Sequence, residues 1–102
     1  MIVRIWRTGI DAARAEEYER FAGERSLPMF RRQAGFRGVL FATAEETERV
    51  VLSFWENAGA VEELDRSPTY RETVDALLAS GILTGEQTVE VLEVSGGVPP
   101  GA

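Results

Sequence analysis

The 102-residue sequence predicts one α+β domain of ferredoxin-like order, β-α-β-β-α-β, with the second α position split into two helices. Three observations carry this. Runs rich in β-branched and aromatic residues alternate with segments of helical periodicity. The two middle runs are separated only by Ala44-Glu45-Glu46-Thr47-Glu48, a polar connection of hairpin length, which makes them antiparallel neighbours in a four-stranded antiparallel sheet. No repeat or linker interrupts residues 1–94, and a chain of this length builds one core rather than two.

Ile2 to Arg7 is the first expected strand, ended by Gly9. Asp11 supplies an N-cap for a helix over Ala12 to Arg25, whose inward stripe is Ala15, Tyr18, Phe21, Ala22 and Arg25. Leu27-Pro28 is expected to break that helix, because proline disfavours helical backbone at the residue before it, leaving Met29 to Gln33 as a short turn. Gly35 to Thr43 and Arg49 to Trp55 are the second and third strands. Asn57 caps a second helix through Ala58, Val61 and Leu64. Ser67-Pro68 pairs an N-cap with proline at the first helical position of a third, whose buried stripe is Tyr70, Val74, Leu77 and Leu78. Ser80-Gly81 fits a glycine C-cap, and Glu86 to Val94 closes the sheet. Ser95 to Ala102, SGGVPPGA, has nothing to pack and is expected to be a flexible tail.

A sheet with one wet face alternates apolar and polar residues. The third strand does not: Val50, Leu52 and Phe54 point one way, and Val51, Ser53 and Trp55 the other. The second repeats this, with Phe36, Leu40 and Ala42 against Val39 and Phe41. The helices cover only one face, so the other calls for a partner, most simply a second copy of the chain.

Composition excludes much chemistry. Cys and His are both 0, and all 11 basic residues are Arg. Cys/His zinc sites, disulfides, axial His or Cys ligation of haem, Ser-His-Asp triads, Cys nucleophiles and Schiff-base lysines are therefore ruled out. The net charge of −6 excludes a globally basic nucleic-acid footprint. It is unevenly spread: residues 1–44 carry eight Arg against five acids, and residues 45–102 three Arg against twelve. This reads either as two solvated faces or as complementarity to a partner or an anionic ligand. No stretch is long and apolar enough for a membrane span, and MIVRIWRTGI reads as a strand rather than a signal peptide, so the expected location is the cytoplasm.

Four segments together resemble the antibiotic biosynthesis monooxygenase-like family of the dimeric α/β barrel superfamily: MIVRIWR; AARAEEYERFAGE followed by LPMFRRQAGFRGV; VVLSFWENAGAVEELDRSPTYRE; and TVEVLEV. Most telling is the strand ending in Trp55, a polar helix start, then Ser67-Pro68-x-Tyr70. The resemblance implies a homodimer whose sheets meet in a barrel, a pocket between helices and sheet in each protomer, and, in its best-known enzymes, oxidation of phenolic or quinol-like aromatics by molecular oxygen with no metal or flavin. Haem-degrading relatives use an iron-ligating histidine that is lacking here. Where many relatives place His in the last helix, this chain has Tyr70 and Val74, so a general base must be a carboxylate, a tyrosine or water. Glu56 is a candidate by position.

A cofactor-free oxygenase needs an apolar pocket, a few polar anchors and a group that stabilises an anion. Tyr70, Asn57 and Trp55 are the candidate catalytic residues, and Trp6, Arg4, Tyr18, Phe54 and Arg37 the candidate substrate-binding residues. Arg7 is a further possible anion partner. Each has a structural alternative: Trp55, Trp6, Tyr18 and Tyr70 as core, Asn57 as a helix cap, Arg4 as one member of a salt bridge. Two functions stand side by side: a cofactor-independent monooxygenase of an aromatic or quinol-type molecule, and a small-molecule-binding or regulatory barrel without turnover. A non-oxidative isomerase, cyclase or lyase on the same barrel is a third.

Overall fold

The computed structural model describes residues 1–98. Strand β1 (Ile2–Ile10) leads into a long helical run: a 3-10 turn over Ala12–Arg14, α1 (Ala15–Phe21), a π turn over Ala22–Ser26, and α2 (Leu27–Arg31). The hairpin β2 (Phe36–Glu45) and β3 (Glu48–Trp55) follows, then α3 (Ala58–Arg66), α4 (Pro68–Ala79) and β4 (Leu83–Glu93). The antiparallel sheet runs β2-β3-β1-β4, the ferredoxin-like order, with every helix on one face. Residues 95–98 form no regular element, and the rest of the expected tail, 99–102, lies outside the described residues. Among the described residues no helix is long and apolar enough to cross a membrane.

The caps form as expected. Asp11 accepts from the Ala13 N–H, Asn57 from Ala60, and Ser67 from Tyr70, with Pro68 opening α4. These side chains satisfy amides that the first helical turn leaves free.

Four expectations are corrected. Pro28 does not end the helical run. The π turn, in which the Leu27 amide bonds to the Ala22 carbonyl, widens the helix just ahead of it, and Pro28 sits in the first turn of α2, where its missing N–H is tolerated. β1 continues past Gly9 to Ile10, and β4 starts at Leu83, because a register irregularity between Arg7 and Gly9 lets pairing resume beyond it. Another irregularity between Phe36 and Gly38 turns Phe36 onto the core face with Val39 and Phe41, rather than onto the side of Leu40. In the helices, Arg25 lies exposed over the Phe21 ring, Ala58 and Leu78 are exposed, and Ala60 and Thr73 take inward places.

The core has two parts. Trp55, fully buried, packs against Phe30 and Phe36 with ring centroids 6.2 and 5.7 Å away, joined by Met29, Val51, Ala60, Val61 and Leu64. Ile10, Tyr18, Leu77 and Ile82 form the second, and Trp6 touches both. The opposite sheet face carries Val3, Ile5, Val50, Leu52 and Phe54 beside Leu40 and Leu92, which are 46% and 43% exposed; no element among the described residues covers it.

Two glycines at φ +76° separate backbone strain from packing. A Cβ on Gly35 would meet the Ala60 Cβ at 2.6 Å, whereas one on Gly81 would find its nearest neighbour, Arg14 Nη1, at 3.5 Å. Gly81→Ala is expected to cost about 1 kcal/mol from left-handed backbone alone, and Gly35→Ala about 2–4 kcal/mol because overpacking adds to it. Urea unfolding of the two variants checks the order.

Candidate functional site

Between the sheet and the helices, where the two core clusters meet at Trp6, lies a narrow cavity with about 40 Å³ of free space. Its walls are mostly apolar: Trp6 from β1, Phe41 and Val51 from the hairpin, Met29 and Phe30 from α2, Val74 and Leu77 from α4. Polar atoms enter from Arg4, Tyr18, Ser26, Tyr70 and Thr73. Such a space holds a few waters, so an aromatic ligand needs the walls to part, and Met29 is an adaptable side chain in that position. A larger groove of about 440 Å³ at the β1–β4 irregularity is an open surface feature walled by Thr, Gly and Glu residues beside Arg7, without an enclosed apolar wall.

Arg4 dominates the electrostatics. It is 5% exposed on β1, on the helix-covered face with Ile2 and Trp6. Its Nη2 donates to the Tyr70 hydroxyl at 2.8 Å, and its guanidinium carbon lies 5.3 Å from the centre of the Tyr70 ring. Asp65, mostly in solvent, is 3.6 Å away, close enough for Coulomb attraction but not for a good hydrogen bond. The Arg4 Nε is buried with no hydrogen-bond partner. Tyr70 reaches Arg4 because the Ser67 cap and Pro68 start α4 there.

Tyr18, on α1, is buried against Ile10, Leu77 and Ile82, and its edge lines the cavity. Burial pushes its hydroxyl up to about 12, with Glu19 adding to the rise and Arg49 opposing it. At neutral pH it is a fixed proton donor, not a base. The Thr73 hydroxyl is spent on the Thr69 carbonyl at 2.8 Å.

Of the residues named from sequence, the cavity brings together Arg4, Trp6, Tyr18 and Tyr70. The others lie elsewhere. Trp55 is core, its indole N–H on the Ser53 hydroxyl at 2.8 Å. Asn57 caps α3 and borders a surface depression with Glu56 and Glu63. Arg37 is exposed and 3.6 Å from Glu56. Phe54 points to the opposite sheet face, beside Met1 and Val94. Sequence reasoning missed Ser26 and Met29 because it ended the helix at Arg25, ahead of Leu27-Pro28; the signal was the apolar Met29-Phe30 pair just after the proline. Phe41 was available from strand alternation.

No curated protein matches the sequence. Among solved structures, the fold is similar to a point mutant of SnoaB, a cofactor-independent oxygenase from Streptomyces nogalater, at 21% identity, 96% coverage of each chain and TM-score 0.76. It is similar to the monooxygenase from the gene ActVA-Orf6 of Streptomyces coelicolor, in complex with nanaomycin D, at 20% identity, covering 97% of this chain and 91% of that one, with TM-score 0.82. Rv0793 from Mycobacterium tuberculosis matches at 20% identity over 96% and 98% of the two chains, TM-score 0.75. At these identities the likeness establishes fold. The family profile described as antibiotic biosynthesis monooxygenase matches residues 1–76, which include the strand of Arg4 and Trp6, the helical run with its π turn, the β hairpin and the start of α4 at Tyr70. The chain belongs to the antibiotic biosynthesis monooxygenase family.

Proposed function

We propose that this chain is a cofactor-independent monooxygenase of an aromatic or quinol-type small molecule, acting as a homodimer. The observation that carries the reading is the buried Arg4 paired with the half-buried Tyr70 at the wall of an apolar, aromatic-lined cavity. Once its walls part, such a cavity binds a flat ring through Trp6 and Phe41. Donors fixed in a water-poor site stabilise negative charge where it develops on a ring oxygen. Water takes the proton of the ring hydroxyl, the electron-rich anion passes an electron to O2, and the two radicals join through carbon. For a ring methylene, one oxygen atom stays as the carbonyl and the other leaves as water, so electrons balance with no outside reductant. Arg4 and Tyr70 are the anion-stabilising residues, and Tyr18, held protonated, donates a hydrogen bond. Membership of the family supports the reaction class, and the similarity to SnoaB, a cofactor-independent oxygenase, and to a monooxygenase that binds nanaomycin D supports the ligand class.

Oxygen uptake with a panel of hydroquinones and anthrones tests this. The protein is expected to consume O2 with at least one of them. Arg4→Gln is expected to lower kcat/KM by about 10²-fold, the scale for loss of one oxyanion donor, and Tyr70→Phe by about tenfold. No uptake with any substrate, together with saturable quenching of Trp6, would assign the chain to non-catalytic small-molecule binding.

The homodimer reading rests on the uncovered apolar face of Val3, Ile5, Leu52 and Phe54, which a second copy would bury. Sedimentation at micromolar concentration is expected to give twice the 11.3 kDa chain mass, and Leu52→Glu to give the monomer. A wild-type monomer contradicts it.

A further inference from the structure

Two arginines are buried on the helix-covered sheet face, and their partners differ. Arg49 is well partnered: its Nε donates to Glu19 at 3.0 Å, and its Nη1 to the carbonyls of Glu45, Glu46 and Glu48 at 2.9, 3.2 and 3.1 Å, which ties down the β2–β3 turn. Arg4 is not. One of its nitrogens meets Tyr70, Asp65 stays 3.6 Å off, and Nε is sealed without an acceptor. A buried cation whose counter-charge, Asp65, is exposed and 3.6 Å away and a buried donor without an acceptor are both unfavourable. The Arg4 side chain lines the cavity, and its Nε lies sealed behind the wall that a ligand must part.

We propose that the missing acceptor arrives with the ligand: the cavity takes an aromatic acid whose carboxylate pairs with Arg4. This rests on the cavity being the ligand site of the proposed function, and it narrows the substrate class. Near neutral pH an arginine guanidinium and a carboxylate are both ionised, whereas a simple phenol stays neutral until about pH 10. The Arg4 Nε–H is a buried donor without an acceptor among the described residues, and a carboxylate oxygen meets it while Nη2 and the Tyr70 hydroxyl remain for the ring oxygen of the proposed reaction. Asp65, its side chain 58% exposed, offsets part of the Arg4 charge from 3.6 Å without occupying the Nε–H, so removing its carboxylate strengthens the pull on an incoming anion. The ring of the acid lies against Trp6, Met29 and Phe41.

The test is binding in oxygen-free buffer near neutral pH, with benzoate and benzamide as a charged and a neutral probe of nearly the same shape. Quenching of Trp6 reports it, and Trp6→Phe checks the origin of the signal. Benzoate is expected to bind at least about tenfold more tightly, the scale of a charge-assisted pair in a desolvated site. Arg4→Gln brings the ratio to about one. Asp65→Asn, an exposed change that removes the competing carboxylate, widens it severalfold and decides the matter if Arg4→Gln does not fold. Equal affinities, no binding of benzoate at millimolar concentration, or a ratio that Asp65→Asn leaves unchanged would overturn the proposal. Phenol that binds as well as benzoate, and more tightly as pH rises toward its own pKa, would also overturn it in favour of a phenolate site. Because no turnover is needed, oxygen uptake without carboxylate preference would sink this inference alone.

Discussion

A guanidinium buried on the helix-covered face of an apolar sheet is the constraint around which the site half of the molecule is arranged. Arg4 is placed there by strand alternation on β1, between Ile2 and Trp6. Burial of that charge is tolerated only where polar partners reach it. Tyr70 does so from α4, and it can because Ser67 and Pro68 start that helix at the right height. From below, the Ser53 hydroxyl donates to the Arg4 carbonyl at 3.4 Å and accepts the Trp55 indole N–H at 2.8 Å. The Arg4 side chain is thus tied to α4 on one side, and its backbone to the fully buried tryptophan on the other. Its Nε–H has no acceptor, and that is where the proposed ligand chemistry acts.

The cavity depends on an irregular helix. A regular α-helix from Ala15 to Arg31 would not accommodate Pro28 without losing an internal bond and meeting a carbonyl one turn back. The π turn resolves this and brings Ser26 and Met29 to the cavity wall beside Tyr18. π turns of this kind recur at functional sites, since they keep a helix continuous while moving side chains off its regular stripe. That run lines the cavity with a short hydroxyl and a flexible thioether beside Phe30, and the first two are easier to displace than the rings packed around Trp55.

Much of the fold was legible in the sequence because it is written in local signals. The Asn57 and Ser67-Pro68 caps, the Gly81 stop, the hairpin and the strand order all follow from residue chemistry within a few positions. What was missed depends on departures from regular periodicity. The irregularities beside Gly9 and Gly38 extend or turn strands, and the π turn carries the helix through a proline. The site was half legible. Arg4, Trp6, Tyr18 and Tyr70 were found as polar or aromatic residues at inward positions, and they converge. Asn57 and Trp55 share the segment that most resembles the family, but their polar groups are committed to Ala60 and Ser53. Linear proximity to a motif did not distinguish a cap and a core residue from a cavity wall; only the tertiary placement of α4 against β1 does.

The central claim is that ligands enter the cavity against Arg4 rather than settling on the open sheet face or in the depression beside Asn57. Nitrogen-edited NMR of the arginine Nε–H groups tests it most directly, because Arg4 and Arg49 are both shielded from solvent. Titration with a hydroquinone in oxygen-free buffer is predicted to shift the Arg4 Nε–H resonance and leave that of Arg49, locked on Glu19, in place. Saturable binding that moves the amides of Glu56 to Ala60 or of β3's open-face residues, with the Arg4 signal unchanged, would contradict the account.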